Sequence, residues 1–485
     1  MRWAVCLGIA AMVAVSAWQR WLILDATPYP VGVDGYFYAI QVRSLLEHGT
    51  LAYPASPLTF WWMAPFAAIA GGDPIIGAKL GAALGGALIA VPMYFVGKFL
   101  GRDRDDVGAG LIAAALAVSS ADSAYLSFEF VKQAIGTLST ISTCAVLTRR
   151  YHSGAEGRSP LSRGLALGAL ATLLAHKLAF VVLVILVTPS LVRTARRRAL
   201  VLAAVALVGV AILGLALPRR LPSPADLDLV SHLFAAPRWS LPTLDAPGAA
   251  LMFRQEPLIA GVTCVVAAIV LARSRDPAQR ALGWPIVALG VAIALPWLAV
   301  DDPQGLGFRL RILAFVPMAL GGAIVVGALP IPRRTTVLAI AAAALFAVGA
   351  ARRLTEGEVV MHPGLAAAAA NAAGRIPPGA TVIVPERRIL YPIRWYTRAP
   401  VSLRPEPVPY AERVRVVGLT YIGGEGAPLD RALDAASHEP SIAPPIQLYP
   451  GVRDGLVLVT EPTWDWLMAH VPDDVRVYFT RWPTL

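Results

Sequence analysis

Long apolar runs broken by short arginine-rich stretches set the pattern of this chain. They fall at 3–24, 74–99, 107–121, 133–148, 164–175, 178–192, 199–218, 257–272, 281–299, 310–328 and 335–351, and predict about eleven transmembrane helices. The connecting segments carry Arg102 and Arg104, then Arg149, Arg150, Arg158 and Arg163, then Arg193 and Arg196 to Arg198. Arg273, Arg275 and Arg280, and finally Arg333 and Arg334, complete the series. Five successive basic loops on one side place the amino terminus in the cytoplasm and the carboxyl terminus outside. Residues 164–192 are long for one helix and short for two, and His176-Lys177 interrupts them. Basic clusters flank both ends, so an even number of crossings is required, with Lys177 near the outer face.

Three outer segments exceed plain connectors. In 25–73, Tyr36–His48 has helical periodicity, Pro54 and Pro57 end it, and the short apolar run Leu58–Ala70 is expected to lie in the interface. The Pro-rich loop 219–256 holds one amphipathic stretch, Leu227–Phe234. Residues 352–485 read as a water-soluble α/β domain behind a transmembrane domain of 1–351. Helices are predicted over 363–374 and 463–470, and strands over 381–384, 414–421, 456–460 and 475–480. Val15-Ser16-Ala17 could end a signal peptide, but apolar character resumes at Trp21–Leu24 and favours a retained helix.

Composition agrees with a polytopic membrane protein: 56% hydrophobic and 15% charged residues. The net charge of +11 follows the loops, so it reports topology and no nucleic-acid partner. Cys6, Cys144 and Cys264 all lie in apolar runs, which argues against a disulfide framework or a cysteine zinc site. The basic cluster Arg387, Arg388, Arg394, Arg398 and Arg404 reads as a solvated or headgroup-facing surface. No nucleophile-elbow or zincin motif occurs, and Gly423–Gly426 reads as a turn.

Candidate chemistry gathers at the outer ends of the runs. Asp34 follows the first helix in Gly-Val-Asp-Gly-Tyr-Phe-Tyr; alone it reads as a helix cap, but Tyr36 and its neighbours offer rings to a sugar or lipid chain. Glu129 and Lys132 stand in the second outer loop after Asp122, where charge is costly unless paired or wetted. They read either as a helical ion pair or as groups of a site, with Glu129 and Asp34 sharing a magnesium or manganese ion that substrate phosphate completes. Only four of the 42 basic residues are lysines, Lys79, Lys98, Lys132 and Lys177, and the last two suit a phosphate or carboxylate as point charges. Arg309 and Arg311 follow Asp301-Asp302. They read as phosphate-binding forks on the basic-poor side, or one of them as a salt bridge to those aspartates.

The run Asp34–Gly49, continued by Pro57-Leu58-Thr59-Phe60-Trp61-Trp62, resembles the first outer loop of GT-C membrane glycosyltransferases. It is most similar to the oligosaccharyltransferase catalytic subunit, and less so to protein O-mannosyltransferases and lipid A aminoarabinose transferases. Ser127–Gly136 occupies the place of the family's second acidic motif. Phe308–Ile312 with Pro317–Leu320 resembles its late arginine and proline span, and His176-Lys177 sits where relatives carry a lysine between two short helices. The resemblance implies a bacterial plasma-membrane enzyme passing sugar from a polyprenyl phosphate or diphosphate donor to an acceptor outside. It also implies that Asp34 binds metal or activates the acceptor, that Glu129 completes the acidic pair, and that Arg309 or Arg311 holds donor phosphate. The Trp-Trp-Asp-Tyr-Gly motif that reads an asparagine sequon is absent, with Pro385–Ile389 in its place, so the acceptor does not carry over. The alternatives are a transporter or flippase of lipid-linked glycans and a non-catalytic glycan-binding scaffold. Transporters place charges at midplane between inverted repeats; here no repeat is found and the charges sit at span ends.

Overall fold

The computed structural model describes residues 2–30, 32, 34–152, 163–193, 233, 255–299, 305–356, 363–384, 387–397, 399–420, 428–449 and 454–471. The chain divides into two compact units, Met1–Ala26 with Gln41–Glu358, and Thr27–Ile40 with Val359–Leu485.

The first unit is helical. It contains α1 (Arg2–Leu24), most of α2 (Gly35–His48), α3 (Leu58–Ile69), α4 (Pro74–Ala87), α5 (Ala90–Leu100), α6 (Val107–Ser119), α7 (Ala121–Phe128), α8 (Val131–His152) and α9 (Arg163–Ala175). A helix over 177–193, α10, follows. Then come α11 (Glu256–Arg273), α12 (Pro277–Ala294), α13 (Leu306–Arg311), α14 (Phe315–Ala328) and α15 (Arg334–Glu356). Against eleven expected spans, five helices among the described residues are long and apolar enough to cross a membrane, or six if the bent pair α6–α7 counts as one. The expected run 199–218 lies outside the described residues. Those over 133–148, 164–175, 178–192 and 281–299 coincide with helices that are shorter or more polar. The expected break at His176 is present, between α9 and α10.

Burial separates central from peripheral helices. The α13–α14 stretch is 78% buried over its apolar window and α15 only 17%, so Ile340 and Val348 on α15 offer bare apolar surface of the kind lipid covers. Between helices, polar groups answer one another: Gln19 Nε2 donates to the Ala350 carbonyl at 3.1 Å and Thr140 Oγ1 to that of Ala179 at 3.0 Å. Two basic loops do more than set topology. Arg334 donates to Asp106 Oδ2 at 2.6 and 2.9 Å and to the carbonyls of Val326 and Leu329. Arg104 forks onto the Asp276 carboxylate.

The second unit is built on a mixed sheet in the order β2-β1-β3-β5-β4: β1 (Thr381–Ile383), β2 (Val401–Ser402), β3 (Arg413–Thr420), β4 (Ile446–Tyr449) and β5 (Asp454–Thr460). β1 runs parallel to β2 and β3, while β5 runs antiparallel to β3 and β4. Helices α16 (Pro363–Ala373), α17 (Arg387–Tyr396), α18 (Pro428–His438) and α19 (Glu461–His470) accompany it. The expected strand at 475–480 and the amphipathic stretch Leu227–Phe234, Leu233 excepted, lie outside the described residues.

Alternation along β3 sends Arg413, Arg415 and Val417 to one face. Val417 joins Leu433 and Leu467 in the core there, and both arginines reach Glu461 in the first turn of α19. Arg415 grips the carboxylate with two bonds of 2.6 and 2.7 Å, and Arg413 adds one of 3.2 Å. Burial alone would raise the Glu461 carboxyl, but the hydrogen bonds and charges of Arg415 and then Arg413 hold it below its ordinary value. With the folded value depressed, the stabilisation is complete above the unfolded carboxyl's pKa of about 4.3 and is lost as pH falls through the folded value. Thermal unfolding of the intact protein in detergent, followed by tryptophan fluorescence, should therefore lose stability below about pH 4.5. Glu461→Gln should flatten that acid dependence and cost about 3 kcal/mol at neutral pH, by leaving two arginines without their buried partner.

Candidate active site

The residues expected to carry chemistry fall in both units. Glu129, Lys132, Lys177, Arg309 and Arg311 belong to the first; Asp34 and Tyr36 belong to the second.

In the second unit, Asp34 precedes α2, and its carbonyl accepts the Tyr38 N–H at 3.1 Å, the first bond of the helix. The turn into it needs glycine at Gly32, where φ is +83°. In place of the open ring expected of it, Tyr36 is fully buried. It packs with Tyr29, Ala366, Tyr391, Trp395 and Tyr396, its ring edge-on to Tyr396 at 5.8 Å and its hydroxyl 3.0 Å from the Tyr396 hydroxyl. Burial and the Tyr396 hydroxyl push the Tyr36 phenol above its ordinary range, so it stays neutral. With no exposed surface, this side chain anchors the start of α2.

In the first unit, Glu129 ends α7 and is buried. Its N–H donates to the Tyr125 carbonyl at 2.9 Å. One turn on, Lys132 opens α8. Arg309 lies over the Phe130 ring at 5.0 Å, and its backbone carbonyl accepts from Gln133 Nε2 at 2.7 Å. Gln133, next to Lys132, thus bonds Arg309, and His176, next to Lys177, packs against Gly136, so the three cations lie near the first turns of α8. The rings of Tyr125, Phe130 and Phe308 pack 5.9 to 6.3 Å apart beside Arg309.

Arg311 is buried, and its Nη1 donates to the Leu295 carbonyl at 3.4 Å. Asp301 and Asp302 lie outside the described residues. Among the described residues no three His, Cys, Asp or Glu side chains gather as a metal site.

Sequence reasoning passed over two charged groups. Arg20, inside the first apolar run, is fully buried and donates to Ser127 Oγ at 3.0 Å, Ser123 Oγ at 3.1 Å and Ser16 Oγ. Glu256, read as the end of a loop, is buried against the start of α7. An arginine in an otherwise uncharged apolar run was the available signal for the first. Nothing local marks the second, whose partners lie about 135 residues away.

A groove of about 580 Å³ opens between α3, α8 and α9, walled mainly by Leu58, Trp61, Trp62, Ile135, Val146 and Leu167.

No protein-family model matches the sequence, and no curated protein matches it. Among solved structures, the chain is similar to ArnT from Cupriavidus metallidurans in the apo state, with TM-score 0.55 and 14% identity over 95% of this chain and 99% of that one. It is also similar to the Archaeoglobus fulgidus oligosaccharyltransferase in complex with zinc and sulfate, with TM-score 0.53 and 13% identity over 81% of this chain and 62% of that one.

Tyr36→Phe should cost about 1 kcal/mol, the value of one hydroxyl bond, and Tyr36→Ala about 3–5 kcal/mol, in the same unfolding measurement. The fold of this chain is the one it shares with ArnT and with the Archaeoglobus fulgidus oligosaccharyltransferase.

Proposed function

We propose that this chain is a glycosyltransferase that takes a sugar from a polyprenyl phosphate or diphosphate donor and passes it to an acceptor at the outer face of a bacterial plasma membrane. In this reading the chain crosses the membrane about eleven times, with its amino terminus inside and its carboxyl-terminal unit outside. The run of α8 from Lys132 along the face that lines the apolar groove carries the proposal, with Arg309 and Lys177 near the same end of that helix.

Both fold relatives are transferases by name. The groove supports a lipid-linked donor. Ile135, Ser139, Ser142 and Val146 line it and follow Lys132 at helical spacing along one face of α8. A phosphate held at Lys132 therefore has an apolar trough for its isoprenoid tail on the same face.

The transfer needs little covalent help from the protein. An acceptor nucleophile attacks the anomeric carbon as the bond to the donor phosphate breaks, and the phosphate leaves with the electron pair. Lys132, Lys177 and Arg309 hold that growing negative charge. A carboxylate, Glu129 or Asp34, takes the acceptor's proton.

The test is mass spectrometry of lipid-linked sugars and surface glycans in a deletion strain complemented at equal expression. Wild type should restore a missing glycan and drain an accumulated polyprenyl-linked donor. Asp34→Asn and a Lys132→Gln/Arg309→Gln double variant should each lower glycan formation at least about 100-fold. Full complementation by both variants, or a glycan profile untouched by deletion, would sink the reading.

A further inference from the structure

We infer that Glu256 and Arg20 are positioning residues that hold α7 as a rigid mount for Glu129; this rests on the proposed function, in which Glu129 takes part in transfer.

The need for a mount begins at a break. α6 stops at Ser119, Ser120 is extended (φ −67°, ψ 139°), and α7 leaves at 51° to the helix before it. Breaking a helix frees the amides of the next turn, and inside an apolar bundle each must find an acceptor. Ser120 Oγ takes the Ser123 N–H at 3.2 Å. The other two go to one carboxylate from across the bundle: Glu256 Oε1 accepts from Ala121 N at 2.7 Å and Oε2 from Asp122 N at 3.2 Å. Glu256 Oε2 also accepts from the Ser120 hydroxyl at 2.5 Å, which fixes the capping serine itself. The break and its acceptor therefore form one device.

Arg20 grips the same helix from the side. Its guanidinium spans Ser123 and Ser127, one helical turn apart on a single face of α7. A planar fork bound at two rungs resists both rotation about the helix axis and sliding along it. The fit around the grip is close, because a methyl group added at Gly86 would collide with Ser127 Oγ and Arg20 Nε. Two residues beyond Ser127 the helix ends at Glu129, buried and tied by its own N–H to Tyr125. Eight residues thus separate the Glu256 cap from the carboxylate it aims, with Arg20 clamped between.

The experiment is a double-mutant cycle in the complemented strain, using its own lipid-linked donor pool as the probe. The initial rate of glycan formation is divided by the monodisperse protein recovered in detergent, which removes effects on folding yield. Glu256→Ala should lower that rate about ten- to a hundredfold, as displacement of a reacting group by about 1 Å does. Glu256→Gln keeps one acceptor oxygen and should recover most of the loss. Arg20→Lys keeps the charge without the fork and should behave like Glu256→Ala. In a Glu129→Gln background neither Glu256→Ala nor Arg20→Lys should lower the rate further.

Unchanged rates for Glu256→Ala and Arg20→Lys, or losses that multiply with that of Glu129→Gln, overturn the positioning role while leaving the proposed function standing. A wild-type rate for Glu129→Gln overturns the assignment of Glu129 and the mount with it. No transfer by the wild type overturns the proposed function itself. Should Glu256→Ala yield no folded protein, Ser120→Ala removes one of its three bonds and takes its place in the cycle.

Discussion

A charge inside an apolar bundle persists only if its donors and acceptors are answered, and Arg20 is where this chain meets that demand most fully. It binds serines on its own helix and on α7. Without such a partner set a guanidinium in hydrocarbon costs several kcal/mol. With it the same group becomes a fixed point to which other elements are referred. Glu256 obeys the rule with the opposite sign, and α7 is stretched between the two.

The same rule governs the arginine-rich loops. Their count and side are topological, but Arg334 and Arg104 also close the ends of the bundle on Asp106 and Asp276. Asp106 accepts from Ala109 N as well, so one carboxylate caps α6 and receives the arginine that opens α15. The N-caps Asp106 and Asp276 each thereby tie a helix start to a remote cation.

Much of this was legible in the chain. The break at His176 followed from basic clusters on both sides of an apolar stretch, and the strands at 381, 414 and 456 followed from β-branched runs, because both signals are local. The misses share a cause of the opposite kind. Tyr36 promised an open ring because its partners, Tyr391 to Tyr396, lie some 360 residues away. Those partners sit on α17, which was read as a basic surface: its arginines and the internal Pro392 masked the apolar stripe of Ile389, Leu390 and Ile393. Glu256 gave no signal, since a glutamate ahead of an apolar run looks the same whether it faces water or caps a broken helix. The convergence of Lys132, Lys177 and Arg309 lay between these cases. The scarcity of lysine singled out two of the three, but only the folded chain brings all three near the start of α8.

The make-up of the second unit bears on the order in which the protein is made. Its first piece, 27–40, leaves the ribosome with Tyr36 exposed, and Tyr396 follows only after 360 further residues. At roughly 5–20 residues per second, that ring and its neighbours wait on the order of tens of seconds for the surface that will bury them. Until Tyr391 to Tyr396 have been made, Tyr36 therefore lacks the rings that bury it.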